Sequence, residues 1–108
     1  MTEPELRHVE TRDRLALSEL AAGTASAQTL HELQFSIHLA ARLAHAGIGP
    51  EVAPLAAMAG EALQRASGGA VEEDDVDVVR DLLDHLDAQR RAASRGQLLR
   101  ALGVNGRG

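Results

Sequence analysis

The sequence predicts an all-α protein, and three observations support this prediction. Of 108 residues, 20 are Ala and 16 are Leu, which favour helices, whereas aromatic and β-branched residues are scarce. Apolar residues recur at intervals of three and four, as they do on one side of a helix. Linkers of about four to eight residues separate these segments and favour antiparallel neighbours. We therefore expect an antiparallel four-helix bundle with a short C-terminal helix, in which residues 1–102 form a single domain.

The first helix is predicted over about residues 3–22. Thr2 and Glu5 have the spacing of a capping box, and Gly23 is a typical residue at the end of a helix. Its apolar stripe consists of Leu6, Val9, Ala16, Leu17 and Leu20. Asp13 falls inside this stripe. We expect either that its carboxylate lies at an open edge of the bundle or that the helix packs less deeply there.

The second helix is predicted to begin after Ser26, its N-cap, and to reach Ala46, where the glycines of residues 47–49 end it. A broad apolar face contains Leu30, Leu33, Ile37, Ala40, Ala41, Leu43 and Ala44. Phe35, Leu39 and Ala46 form a second apolar face. We therefore expect this helix to be buried on two sides.

The third helix is predicted to begin at Pro50 and to end at residues 67–69, where a Ser-Gly-Gly sequence follows. Its apolar positions are Val52, Leu55, Ala56, Ala59, Leu63 and Ala66. Pro54 also lies near its first turn, where proline is tolerated.

The fourth helix follows the acidic residues 72–75 and is predicted to continue to about Ala93. Val76, Val79, Leu82, Leu83 and Leu86 recur along it at helical spacing. Gly96 indicates a break, and Ser94 is suited to cap a short final helix. Residues 103–108 are expected to form a flexible tail.

Opposite charges are segregated along the chain, which has a formal net charge of −5. Residues 72–87 contain eight acids and one base, whereas residues 88–108 contain five Arg and no acid. Asp77, Asp81 and Asp84 share one helix face, where like charges repel each other. Such a ridge favours binding to a basic protein surface. The alternative is that the three carboxylates form a solvated helix face whose role is to keep the domain soluble.

The C-terminal segment offers two other candidate interaction surfaces. Arg90 and Arg91 begin an Arg-rich stretch that could contact nucleic acid, but such Arg residues also complement the helix dipole and can pair with Asp87. Because the chain as a whole is acidic, we favour a protein partner over a nucleic-acid partner. Leu98, Leu99 and Leu102 either close the bundle or form an apolar surface for a partner, including a second copy in a homodimer.

Three histidines, His31, His38 and His45, recur every seven residues in one polar sector of the second helix. Residues seven apart are about 10.5 Å apart along a helix, so they cannot share a metal ion within it. The stripe is either a solvated face or a pH-sensitive contact surface. Asp81 and His85 have i, i+4 spacing and could hold a metal only with ligands from another helix.

Several classes of activity lack their usual residues in this chain. It has no Cys, Lys, Trp or Tyr, no Gly-x-Ser-x-Gly motif and no phosphate-binding glycine loop. We therefore expect no cofactor and no enzymatic activity, with a metal-dependent enzyme as a minor alternative. No apolar run approaches the roughly 18 residues of a membrane span, and the N-terminus is acidic. We expect a cytoplasmic protein.

Three segments resemble small uncharacterised helical proteins encoded by bacterial phages and plasmids. They are LAARLAHAGIGPE at residues 39–51, LDHLDAQ at 83–89 and SRGQL at 94–98, and the similarity spans about residues 10–103. The resemblance implies an accessory protein of a mobile element, a class in which acidic proteins of this size include anti-CRISPR inhibitors of host defence. It implies no catalytic residues.

Overall fold

The computed structural model describes residues 2–103, and within this range the secondary structure is entirely helical. Its helices are α1 (Glu3–Ala22), α2 (Ala27–His45), α3 (Ala53–Ser67), α4 (Glu73–Ala92) and α5 (Arg95–Ala101). The predicted fold class, an all-α bundle with a short C-terminal helix, is confirmed. The predicted flexible tail lies, except for Gly103, outside the described residues.

Local capping signals define where α1, α2 and α5 begin. The Thr2 side chain accepts a hydrogen bond from the Glu5 backbone N–H, and the Glu5 side chain in turn accepts one from the Thr2 N–H. Ser26 and Ser94 cap α2 and α5 in the same reciprocal manner. Gly23 ends α1 with a φ of 74°, a conformation that costs glycine little. These predicted helix ends are therefore confirmed.

The third helix begins later than predicted. Residues Pro50–Val52 form a 3-10 turn, and the α-helix starts only at Ala53. An α-helix continuing from Pro50 would require an N–H donor at Pro54, which proline lacks. The Ala53 N–H instead donates to the Pro50 carbonyl, and the α-helical pattern begins after this turn.

The helices pack around a central pair formed by α2 and α4. Each of α1 and α3 contacts both members of this pair, and α5 packs against α2. Leucines of the central pair form the core, whereas α3 contributes mainly alanines. The core residues of these helices include Leu33, Ile37, Ala40, Leu43, Ala56, Ala59, Ala62, Val79, Leu82, Leu83 and Leu86. Small side chains at a helix contact permit a shorter distance between helix axes than large ones do.

The second apolar face of α2 is only partly covered. Leu39 is buried and Phe35 is 50% exposed, and Ala46 is also exposed. The prediction that α2 is buried on two sides is thus correct for Leu39 alone. The helix that packs on this side, α5, has seven residues and is too short to cover the whole face.

A buried glutamine ties α4 to the turn that follows α2. The Gln89 Nε2 donates to the carbonyl oxygens of Ala40, at 3.2 Å, and Ile48, at 2.8 Å. Gly49, with a φ of 66°, lies directly against this side chain. A Cβ at Gly49 would lie 3.0 Å from the Gln89 Cγ, so both the backbone conformation and the available space favour glycine.

Candidate functional site

The acidic ridge of Asp77, Asp81 and Asp84 is exposed on the outer face of α4, as predicted. It faces outward because the apolar stripe of the same helix points into the core. Arg80 donates to Asp77 at 2.7 Å, and Arg14 of α1 donates to Asp84 at 2.7 Å. Asp81 has no ion pair within residues 2–103. The ridge therefore keeps uncompensated negative charge at its centre.

The acidic segment that precedes the ridge does not form a uniform surface. Asp74 is exposed, whereas Asp75 is buried and faces α3. Arg65 of α3 donates to the Asp75 carboxylate, with a shortest N–O distance of 2.6 Å. These hydrogen bonds from Arg65 lower the pKa of Asp75. Asp75 therefore joins α3 to α4 and does not contribute to the exposed ridge.

Arg90, predicted to contact a partner, is directed into the bundle and is only 5% exposed. Its Nη1 donates to Asp13 Oδ2 at 2.9 Å, and Ser36 Oγ donates to Asp13 Oδ1 at 2.8 Å. The expectation that Asp13 lies at an open edge, or where α1 packs less deeply, is wrong. Burial of Asp13 is tolerated because Arg90 compensates its charge and Ser36 donates a hydrogen bond to its other oxygen.

Arg91 is exposed but is engaged with carboxylates of α1. It donates to Glu10, at 2.6 Å, and to Glu3, at 3.2 Å. These hydrogen bonds raise the pKa of Arg91 and, from the other side, lower the pKa of Glu10. The exposed surface around Arg91 is consequently less basic than the sequence suggests.

Asp87 lies between these interactions and is half-buried. Arg14 Nη2 donates to its Oδ2 at 2.7 Å, and Arg90 Nη1 is 3.7 Å from its Oδ1. Oδ1 has no hydrogen-bond partner among the described residues. Burial is the largest influence on this carboxyl and raises its pKa despite the neighbouring arginines.

We call these interacting side chains the α1–α4 charge cluster. It contains Glu10, Asp13, Arg14, Asp87, Arg90 and Arg91. The sequence contained a signal for its buried part, because Asp13 interrupts the apolar stripe of α1 and Arg90 continues that of α4. Neither position alone identifies its partner, since 77 residues separate them.

The C-terminal leucines mainly close the bundle. Leu98 is 4% exposed and belongs to the core, whereas Leu99 and Leu102 are half-buried. Leu102 packs against the same core from its margin. Of the predicted apolar docking surface, only parts of Leu99 and Leu102 are therefore accessible.

A groove lies between α2 and α5, with a volume of about 590 Å³. We call it the α2–α5 groove, and its lining residues are Ala41, Arg42, His45, Ala46, Gln97, Arg100 and Ala101. Arg42 Nη1 donates to the Ala101 carbonyl at 3.1 Å, at the end of α5 where the helix dipole favours a cation. The groove was not predicted from the sequence because its residues come from two distant helices.

The positions of the α2 histidines are compatible with both a solvated face and a pH-sensitive contact surface. His31, His38 and His45 are all exposed on α2, and His45 lines the α2–α5 groove. On α4, His85 Nδ1 is 2.8 Å from the Asp81 backbone carbonyl. Within residues 2–103, no three His, Cys, Asp or Glu side chains are grouped so that they could hold a metal ion.

Comparisons with known proteins identify no relative. No family model matches the chain, and neither a curated protein nor a solved structure matches it. Across residues 2–103, no helix is sufficiently long and apolar to cross a membrane.

Proposed function

We propose that this protein is a small, non-enzymatic helical interaction protein that binds a basic surface of a partner protein through the acidic ridge of α4. The observation that carries the proposal is Asp81, which is exposed at the centre of the ridge and has no ion pair within residues 2–103. Asp77 and Asp84 flank it on the same face.

The orientation of Arg90 and Arg91 supports this proposal. Arg90 and Arg91 follow the ridge in sequence but point toward α1, where Asp13 and Glu10 engage them. They therefore do not neutralise the ridge, although the sequence places them only a few residues from it. A charged surface of one sign accelerates association with a partner of opposite charge.

The energetics of the ridge also favour a partner. Like charges spaced three or four residues apart destabilise a helix by about 0.2–0.5 kcal/mol per pair. Asp77 and Asp81 have such a spacing, as do Asp81 and Asp84. Basic groups of a partner would relieve this repulsion, so ridge binding would also stabilise α4.

The other predicted surfaces have less support. Leu98 is enclosed in the core, which leaves Leu99 and Leu102 as a small apolar area. The hypothesis that the Arg-rich segment binds nucleic acid has less support, because Arg90 is buried and Arg91 is paired with a carboxylate. Self-association as a homodimer remains a prediction from the sequence.

We further propose a biological setting for this interaction, namely that of an accessory protein of a phage or plasmid. Its target would be a basic host protein, such as a nucleic-acid-binding defence protein that the acidic ridge inhibits by occupying its nucleic-acid surface. The resemblance in residues 39–51 and 83–89 and the acidity of the chain support this setting.

Affinity purification with a charge-neutralised ridge tests the proposal. Asp77→Asn and Asp81→Asn are combined, and Asp84 is kept because its pair with Arg14 joins α4 to α1, whereas the Asp77–Arg80 pair lies within α4. Wild-type protein should recover one or more basic proteins from the native host, and the double variant should lose them. Raising the salt concentration should weaken recovery by the wild type, because exposed charges are screened.

The control variant combines Glu51→Gln and Glu61→Gln, which remove the same charge from exposed positions on other elements. It should recover the same partners as the wild type. If the ridge variant still retains every specific partner, or if both variants lose them equally, the proposed role of the ridge is wrong.

A further inference from the structure

The α2–α5 groove brings together two arginines that have no carboxylate partner within residues 2–103. Six arginines of the described chain lie within 4.0 Å of a carboxylate: Arg7, Arg14, Arg65, Arg80, Arg90 and Arg91. Of the other four described arginines, Arg12 and Arg95 lie outside the groove, whereas Arg42 and Arg100 line it, and no acidic side chain of residues 2–103 is part of its lining. In a protein of net charge −5, this is a local concentration of uncompensated positive charge.

The acidic ridge does not contribute to the lining of this groove. The groove is lined by residues of α2 and α5, together with Ala46 directly after α2, whereas the ridge lies on the outer face of α4. At physiological ionic strength the Debye length is about 8 Å, so an anion in the groove is screened from exposed charges farther away than this distance.

Both the charged and the apolar groups of the groove limit what it can bind. Arg42 is held in place by its hydrogen bond to the Ala101 carbonyl and retains further N–H donors. Arg100, Gln97 and His45 supply additional polar groups from the same lining. Ala41, Ala46 and Ala101 provide methyl groups on which the body of a small molecule can lie.

We propose that the α2–α5 groove binds a phosphate monoester of a small organic molecule. A phosphate monoester carries a charge of about −1.5 to −2 and three acceptor oxygens, which match two guanidinium groups better than a single carboxylate does. The groove volume of about 590 Å³ falls within the range of about 300–1,000 Å³ found for small-molecule sites. This site is independent of the ridge on α4.

Phenyl phosphate is a suitable probe because it combines a phosphate monoester with an apolar ring. Titration into ¹⁵N-labelled full-length protein should produce saturable shifts of the backbone amide resonances of residues 41–46 and 97–101. Benzoate, which carries the ring with a single carboxylate, should bind at least about tenfold more weakly. Inorganic phosphate should shift the same resonances more weakly because it lacks an apolar body.

Three variants determine whether the groove is responsible. Arg100→Gln should weaken phenyl phosphate binding about tenfold, since it removes a charge-assisted hydrogen bond. Arg42→Lys retains the charge but loses the planar fork, and it should also weaken binding. Arg12→Gln removes the same charge from an exposed position on α1 and should leave affinity within about twofold.

The proposal would be overturned if phenyl phosphate caused no saturable shifts at concentrations up to about 10 mM, roughly ten times the Kd of a weak ligand that binds at about 1 mM. Equal weakening by Arg12→Gln and Arg100→Gln would also overturn it, because binding would then depend on net charge alone. Benzoate binding as tight as that of phenyl phosphate would contradict the choice of a phosphate ligand. Amide spectra of the free variants test directly whether each one is folded.

Discussion

The α1–α4 charge cluster and the α2–α5 groove each contain arginines from the C-terminal part of the chain, but the two regions use them differently. In the cluster, Arg90 and Arg91 meet carboxylates of α1 at 2.9 and 2.6 Å. In the groove, Arg100 and Arg42 have no carboxylate of residues 2–103 within 4.0 Å. The cluster contributes to the packing of the bundle, whereas the groove leaves its charges accessible to a ligand.

This difference shows that a charge block in the sequence does not correspond to a charged surface in the fold. Arg90 and Arg100 belong to the same basic segment, yet one is 5% exposed and the other is exposed to solvent. Burial of Arg90 requires the Asp13 carboxylate, because an unpaired buried charge is strongly destabilising. Substitutions in the two regions should consequently have effects of very different size.

The largest effect is expected from Asp13→Ala, which removes the nearest carboxylate of the buried Arg90 and leaves only the Asp87 carboxylate, at 3.7 Å. We expect the free energy of unfolding to fall by about 3–5 kcal/mol in urea denaturation. Replacing both residues, as Asp13→Leu with Arg90→Met, should recover most of this loss because both members of the buried ion pair are then apolar. Arg100→Gln in the groove should change stability by less than about 0.5 kcal/mol. A comparable loss of stability in Arg100→Gln would contradict the prediction that the charge cluster contributes much more to stability than the groove does.

A smaller effect is expected from Ser36→Ala, which removes the hydroxyl that donates to Asp13 Oδ1. A hydrogen bond to a charged group contributes about 1.5–3 kcal/mol, so we expect a destabilisation in that range. Ser18→Ala, at an exposed position of α1, serves as the control. It should be neutral or slightly stabilising, because alanine is the better helix former. Equal stability of the two variants would show that Asp13 does not depend on Ser36.

The pH dependence of stability should distinguish two carboxyls within the cluster. Burial raises the pKa of Asp87, so ionisation of this group costs stability as the pH rises from about 4 upward. Relative to the wild type, Asp87→Asn should therefore become more stable with increasing pH. Chemical denaturation of both proteins between about pH 3 and pH 7 measures the difference.

Glu10 should behave in the opposite way, because its hydrogen bond with Arg91 lowers its pKa. Its contribution is present above the usual Glu pKa of about 4.3 and is lost as the pH falls through the lower value in the folded protein. Glu10→Gln should therefore lose stability relative to the wild type as the pH rises through this range. The same sign of change for Asp87→Asn and Glu10→Gln would contradict the assigned pKa directions.

The smallest effect is expected on the exposed ridge. Asp81→Asn removes one charge from a row of like charges and should stabilise the free protein by about 0.2–0.5 kcal/mol at low salt. The gain should disappear at about 1 M salt, where the Debye length is near 3 Å. A destabilisation would indicate that Asp81 has a favourable interaction within the fold. Thermal unfolding at the two salt concentrations provides the measurement.

Local signals in the sequence were sufficient for most of the secondary structure. Ser26 and Ser94 cap helices as predicted, because capping depends on residues three positions apart. The start of α3 was predicted a few residues too early because two prolines fall in one turn, and the second cannot supply the N–H that an α-helix requires. The outward position of Asp77 and Asp81 followed from helical periodicity alone.

The sequence by itself determined the helices, most of their ends and the face of α4 on which the acidic ridge lies, since each depends on neighbours within one or two turns. Only the tertiary structure decided that Asp13 and Arg90 meet inside the bundle and that Arg42 and Arg100 share a groove. These contacts join residues far apart in the chain. Their formation depends on which helix faces pack together, and no local pattern of residues specifies that choice.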